Sequence, residues 1–411
     1  MLYSVHICMN KKPLLYFVPV YIASMKYYAK LFSYLSNNYD VRFLIVRGKN
    51  ERRSQMEKFC KENNYNYDLI EDGLNDTKIR IPFFTVLNKR RRYIKAVRAF
   101  LKKERPIKII LTKNLVPFNT IIDESNKLEI ETIVLQTSFI PANNLFSGRA
   151  IKPFFIKRAY YHLTDFIFNT SNLSGKPKKV GVIDENAAEG FNIRFGFDLN
   201  TIQIVGMADF QVVHNIKEKI VLDKIFKNNL KSKYNLNQNK RNIIIIAQSH
   251  HLKKGTKLTE EEQILRYRNI INMIRKVFAK DDTDILLKLH PSDKKDIYKS
   301  YEELGVKIFA DESDTDELLC ISDLCITDAW TTTNYMVLAS GVSAIFINLF
   351  LSDDFSKVAK KYYKVKDVVV NEDMFLDKLT QFKNNKLENQ YDNSHIDLKS
   401  IDKIIEFIKN G

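Results

Sequence analysis

The chain alternates short apolar runs with longer amphipathic stretches, and this alternation constrains its fold more than any other feature. Leu14-Leu15-Tyr16-Phe17-Val18 reads as a strand, Ser24 to Ser36 as a helix and Val41 to Val46 as a second strand. A helix over residues 51–63 then leads to a strand at Tyr67 to Ile70. Apolar runs separated by helices cannot pair as hairpins; they pair side by side through crossovers, which makes a parallel sheet. Strands follow at Ile107 to Leu111, Thr132 to Leu135, Phe166 to Phe168, Lys179 to Ile183 and Ile202 to Val205, with helices at 85–105 and Pro153 to Leu163. Over 208–240 the chain turns polar, Lys/Asn-rich and helical. The rhythm then restarts, with strands at Ile243 to Ala247, Ile285 to Leu289, Val306 to Phe309, Leu324 to Ile326, Ala344 to Ile347 and Val368 to Val370. A length of 411 residues exceeds what one hydrophobic core usually organises. Two doubly wound α/β domains are therefore expected, 1–207 and 241–394, with 208–240 as a linker and a closing helix in 395–411.

Composition narrows the class. Hydrophobic residues at 45% and charged residues at 28% suit a globular chain and exclude a disordered one. The net charge of +16 favours an anionic partner. No nucleic-acid reader motif accompanies it, and aromatics are not interleaved with the basic cluster, so nucleic acid is not the expected partner. Cys8, Cys60, Cys320 and Cys325 form no CxxC pair, so neither a disulfide framework nor a zinc site is expected. The first ten residues lack a basic start followed by a long apolar run, so no secretory leader is expected. Leu14 to Met25 is too short to span a bilayer as a helix. The expected location is cytoplasmic.

Ligands of open parallel sheets bind beyond the carboxyl ends of the strands. Three strands of the second half end in reactive residues. One runs into Gln248-Ser249-His250-His251, with Lys253 and Lys254 close behind. The next runs into Lys288-Leu289-His290-Pro291-Ser292-Asp293. The third runs into Thr327-Asp328-Ala329-Trp330-Thr331-Thr332-Thr333, which opens a helix. Each has a structural reading by itself: a capped histidine, a loop-capping aspartate, an N-cap threonine cluster. Three such endings in one row favour a phosphate cradle, because free N–H groups and hydroxyls at a helix start attract anions. The expected phosphate-binding set is Gln248, His250, His251, Lys288, His290, Pro291, Thr327, Asp328, Thr331, Thr332 and Thr333. No metal or other cofactor is expected. Asp282-Thr283-Asp284 precedes its strand, and Asp314-Thr315-Asp316 reads as an acidic helix start.

These segments carry a resemblance. Lys288-Leu289-His290-Pro291, Ser322-Asp323-Leu324-Cys325-Ile326-Thr327-Asp328 and Thr331-Thr332-Thr333 resemble the C-terminal half of several GT-B families. These are the CDP-glycerol glycerophosphotransferases of teichoic-acid synthesis, the bacterial sialyltransferases and the non-hydrolysing UDP-N-acetylglucosamine 2-epimerases. Ile204-Val205-Gly206-Met207-Ala208-Asp209-Phe210 is similar to the end of their first domain. Leu135-Gln136-Thr137-Ser138 resembles a strand end there, which makes Gln136, Thr137 and Ser138 candidates for the acceptor side. The resemblance implies a GT-B-like α/β fold, two Rossmann-like domains facing across a cleft. It implies transfer of a sugar or polyol phosphate from a nucleotide-activated donor to a surface-polysaccharide or lipid-linked acceptor. Glu71-Asp72-Gly73 is similar to the acidic motif whose carboxylate is the sialyltransferase general base. Asp72 and His290 are therefore the expected catalytic pair, with Asp184 and Glu185 as other candidate bases.

Two alternatives stay open. One is an epimerase-like enzyme, although the first-domain carboxylates of that family are replaced here by Leu111-Thr112-Lys113-Asn114 and Gln136-Thr137-Ser138-Phe139. The other is a catalytically inactive GT-B partner or scaffold. The basic helix at 85–105, with Lys89, Arg90, Arg91, Arg92, Lys95, Arg98, Lys102 and Lys103, is expected to contact anionic lipid at the inner face of the plasma membrane.

Overall fold

Short runs of three to seven residues become strands, most of them with both faces of the backbone covered. In the first sheet these are β1 (Leu14–Val18), β2 (Asp40–Val46), β3 (Tyr67–Ile70), β4 (Lys108–Leu111), β5 (Glu131–Leu135), β6 (Lys179–Val182) and β7 (Ile202–Ile204). In the second they are β8 (Arg241–Ile246), β9 (Thr283–Lys288), β10 (Val306–Phe309), β11 (Leu324–Asp328) and β12 (Ser343–Ile347). This is the architecture of a computed structural model that describes residues 12–46, 51–71, 83–112, 118–137, 176–195, 197–249, 258–291, 293–310, 314–349 and 354–410. The expected helix at Pro153 to Leu163 and the strand at Phe166 to Phe168 lie outside the described residues.

Both sheets are parallel throughout. Their orders are β3-β2-β1-β4-β5-β6-β7 and β10-β9-β8-β11-β12. In each, the first strand of the chain lies between the second and the fourth, so each has a switch point where the winding reverses: between β1 and β4, and between β8 and β11. The register levels the strand ends that matter. Ile246 of β8 pairs with Lys288 of β9 on one side and with Thr327 of β11 on the other. Gln248, His290 and Ala329 thus each stand two residues past a shared rung.

The described residues divide into two compact units. One holds the residues through Ala208 together with those from Ile401 onward; the other is Asp209–Ser400. In the second unit, helix Glu260–Val277 lays Tyr267, Ile270, Ile271 and Ile274 against Ile243, Ile245, Ile285 and Leu287. These positions follow the i, i+3, i+4, i+7 stripe of an amphipathic helix. Burying each such isoleucine stabilises the fold by about 1.5–3 kcal/mol as an upper estimate. A reciprocal capping box starts this helix: the Thr259 hydroxyl accepts from Glu262 N at 3.1 Å, and Thr259 N donates to the Glu262 carboxylate at 2.7 Å.

Helix Ser400–Lys409 packs with the first unit from Ile401 on. The Lys108 ammonium reaches the carbonyls of Ile408 and Lys409, and Lys179 reaches that of Asn410 at 2.9 Å, which satisfies the helix end and its dipole. Gly181 of β6 is required by close approach. A Cβ there would lie 2.6 Å from Leu135 and 3.0 Å from the ring of Phe407.

Two expectations are corrected. Residues 208–240, read as a linker, form helices Ala208–Leu222 and Lys224–Lys233, and from Asp209 on they belong to the second unit. Their scattered apolar residues Val213, Ile220, Leu230, Tyr234 and Leu236 are all buried. Spaced burial of this kind needs no long apolar run. Val368 to Val370, read as a strand, contributes one bridge, Ile347 to Val369. Immediately after it, Asn371 caps helix Glu372–Lys383, and pairing stops. Among the described residues no helix is long and apolar enough to cross a membrane. Cys60, Cys320 and Cys325 are buried free thiols, with burial pushing Cys60 and Cys320 up to about 12.

Candidate functional site

The site candidates cluster at the carboxyl edge of the second sheet. Ala247 N makes the last bond to β9, at the Lys288 carbonyl. Gln248 follows, and its backbone N–H donates to the Tyr267 hydroxyl at 2.7 Å. Its side chain then crosses the switch point, and Nε2 donates to Thr331 Oγ1 at 2.8 Å. The Thr331 hydroxyl also accepts from Thr333 N at 3.3 Å and lies 3.4 Å from the Thr333 hydroxyl. The Thr331 carbonyl accepts from Tyr363 OH at 2.8 Å. Both edges of the crevice are therefore joined through side chains and not left to loop entropy.

Asn334 shapes the turn after β11. Its amide donates to the carbonyls of Asp328 and Ala329, and its oxygen accepts from the Thr327 hydroxyl at 2.8 Å. Thr332 occupies the N-cap position of helix Thr333–Ser340 with helical backbone angles, and its side chain makes no capping bond there. Thr332 and Thr333 are half-buried at this helix start. His290, also half-buried, opens the turn after β9, where its carbonyl accepts from Asp293 N at 2.9 Å. Pro291 is exposed. The Asp293 carboxylate accepts from Ser249 Oγ at 2.6 Å and lies 3.4 Å from Tyr298 OH. It ties the β8 loop to the β9 loop.

Several expected ligand groups are instead structural. The Asp328 carboxylate is fully buried against the Arg266 guanidinium, with the second contact at 3.3 Å, and lies 3.3 Å from Tyr267 OH. Burial opposes the charge on Arg266; the Asp328 carboxylate more than offsets this, so the guanidinium is held above its ordinary pKa. A carboxylate paired this way has little reason to face a phosphate, which it would repel. Lys288 is 4% exposed, and its ammonium lies 2.6 Å from the Ala310 carbonyl. A buried ammonium needs acceptors, and the end of β10 supplies one. The Thr327 hydroxyl is consumed by Asn334. In the first unit, Gln136 is 2% exposed and accepts from Ile183 N at 3.0 Å, so it joins β5 to the loop after β6 and is not an open acceptor contact. Thr137 beside it is half-buried. Asp184 caps helix Glu185–Phe195 by accepting from Ala187 N at 2.8 Å, which removes it as a free base; Glu185 is exposed. Asp284 pairs with Lys307 and Asp314 caps helix Thr315–Cys320. Asp72, Ser138, His250 and His251 lie outside the described residues.

Sequence reasoning missed Arg266, Tyr267, Asn334 and Tyr363. A signal existed for Arg266. It stands four residues before Ile270 on the buried stripe, and an arginine there demands an acidic partner.

Two units are each built on a parallel doubly wound sheet, with hydroxyls at one helix start and a histidine at the same carboxyl edge. Residues 185–329 match the CDP-Glycerol:Poly(glycerophosphate) glycerophosphotransferase family. The match runs through His290 and ends at Ala329, before the threonines. The fold is of the GT-B type, and the family match spans one segment of the chain. No curated protein matches the chain in sequence.

Solved structures share the whole architecture. UDP-GlcNAc 2-epimerase from Neisseria meningitidis, bound to UDP-GlcNAc, is 12% identical with a TM-score of 0.61, covering 97% of this chain and 100% of that one. A variant of the wall teichoic acid polymerase TagF is 13% identical with a TM-score of 0.60, covering 97% and 88%. UDP-GlcNAc 2-epimerase from Methanocaldococcus jannaschii is 16% identical with a TM-score of 0.58, covering 97% and 99%. At these identities the likeness is one of fold.

Proposed function

We propose that the protein moves a polyol-phosphate or glycosyl group from a nucleotide-activated donor to a surface-polymer acceptor, free or lipid-linked. One observation carries this reading: His290 and the Thr332-Thr333 helix start lie at the carboxyl edge of one sheet, the histidine in a segment that matches a glycerophosphotransferase family. The donor phosphates lie against the second unit. The acceptor oxygen attacks the distal phosphorus, or the anomeric carbon, and its bond to the nucleotide phosphate breaks. The acceptor proton passes to a carboxylate, for which Asp72 is the candidate. The His290 imidazole N–H and the two hydroxyls meet the charge that builds on the departing nucleotide.

A melting screen of CMP, CDP, UDP and GDP tests the donor site. CDP is the first choice, since the matched family is described by its CDP-glycerol donor and a TagF variant was soaked with CDPG. CDP at a hundred times its Kd is expected to stabilise the second unit by about 2.7 kcal/mol, a rise of several degrees in Tm. A flat response to every nucleotide would refute the donor site. Stabilisation by UDP alone would turn the reading toward the epimerase-like alternative.

A contact with the cytoplasmic face of the plasma membrane belongs to the same proposal, and one basic helix supports it. Helix Phe83–Glu104 buries Tyr93, Val97 and Leu101 and exposes Arg91, Lys95, Arg98 and Lys102 on the opposite side. Arg98 is partly neutralised by Glu124 at 2.6 Å. Basic residues near an anionic bilayer contribute about 1 kcal/mol each. Changing Lys95 and Lys102 together to glutamine should therefore lower sedimentation with phosphatidylglycerol vesicles by roughly tenfold or more. Equal sedimentation of both proteins, or no preference over phosphatidylcholine, would remove the membrane contact.

A further inference from the structure

We infer that Tyr267 is a positioning residue of the donor site, one whose hydroxyl sets where Gln248 and Thr331 meet across the switch point. The inference rests on the donor reading above. Tyr267 lies on helix Glu260–Val277 beneath the sheet end and is 1% exposed. Its ring is held edge-on to Tyr298 at 6.5 Å, with the Arg266 guanidinium 5.3 Å from its centroid. The hydroxyl is thus delivered to one place by packing alone.

That place is the gap between β8 and β11. At a switch point the loops after the two central strands run to opposite faces of the sheet, so nothing in the sheet ladder holds them together. Tyr267 OH accepts a hydrogen bond from the N–H of Gln248 at 2.7 Å and donates one to the Asp328 carboxylate at 3.3 Å. One hydroxyl joins the second residue after β8 to the last residue of β11. Asp328 is itself immobilised by Arg266, whose Nε donates to the Leu349 carbonyl at 3.1 Å. The Gln248 side chain makes the second tie, to Thr331 Oγ1, and Thr331 orders Thr333. A shift of the Gln248 backbone is therefore passed to the helix start assigned to phosphate. The hydroxyl makes no contact with ligand in this assignment; it acts through Gln248.

Tyr267→Phe keeps the ring and its packing and removes the tie. Buried and unpaired, the Gln248 N–H will move to find another acceptor. CDP affinity by calorimetry is expected to weaken about tenfold, with the change on donor KM and none on acceptor KM. In a double-mutant cycle, adding Gln248→Ala to Tyr267→Phe should cost much less than Gln248→Ala alone, because both cut one linkage. If Tyr267→Phe does not accumulate folded protein, Thr331→Val decides, since it severs the same linkage at its far end and has to show the same donor-KM effect. Unchanged CDP affinity in folded Tyr267→Phe, or fully additive losses, would overturn the positioning role while leaving the donor site standing. A wild-type protein that binds no nucleotide would overturn both.

Discussion

In the His290→Ala protein, donor turnover is expected to fall by about 10²–10³-fold, roughly 2.7–4 kcal/mol of transition-state stabilisation. In the proposed site the imidazole N–H meets charge that develops on the leaving nucleotide, and little of that charge exists in the bound donor. The loss should therefore appear in kcat more than in donor KM. Fold should be unaffected. His290 is half-buried in a turn held by its own backbone carbonyl and Asp293 N, a bond that alanine retains. The measurement is nucleotide release from a CDP-linked polyol donor with and without acceptor, beside a melting curve. Wild-type turnover in the variant would end the assignment of His290 to the leaving group.

Arg266→Met is expected to give the largest stability loss, about 3–5 kcal/mol. The variant leaves the Asp328 carboxylate buried with its principal partner removed, and the low-dielectric interior makes that charge costly. Arg266 and Asp328 are each 1% exposed at the side chain, so water cannot replace the guanidinium. The double change Arg266→Met with Asp328→Leu removes both charges and should recover most of the loss. Urea midpoints followed by hydrogen exchange in β8 and β11 would measure this, since Ile243–Ile246 lies beside Leu324–Thr327 in the sheet. A single variant as stable as wild type would show that the pair contributes nothing.

The same pair explains why the site was only partly legible. Asp328 and Lys288 read as ligand groups because they sit at strand ends, where ligands bind. Their immediate neighbours in sequence contain nothing that says otherwise. The partner of Asp328 stands 62 residues earlier, and the acceptor of Lys288 is a carbonyl 22 residues later. Gln136 is a similar case, its oxygen taken by an N–H 47 residues away. His290 and Thr332 are half-buried, one in the turn after β9 and the other at the helix start.

The sequence by itself determined the two parallel sheets, most of their strand positions and the row of polar residues at the carboxyl edge. Periodicity and apolar run length are properties of consecutive residues, and they settle which backbone is buried. Only the tertiary structure decided which of those polar side chains bind one another. In a dry interior every charge and hydroxyl takes the best partner within about 3 Å, and that partner is chosen by packing, not by distance along the chain.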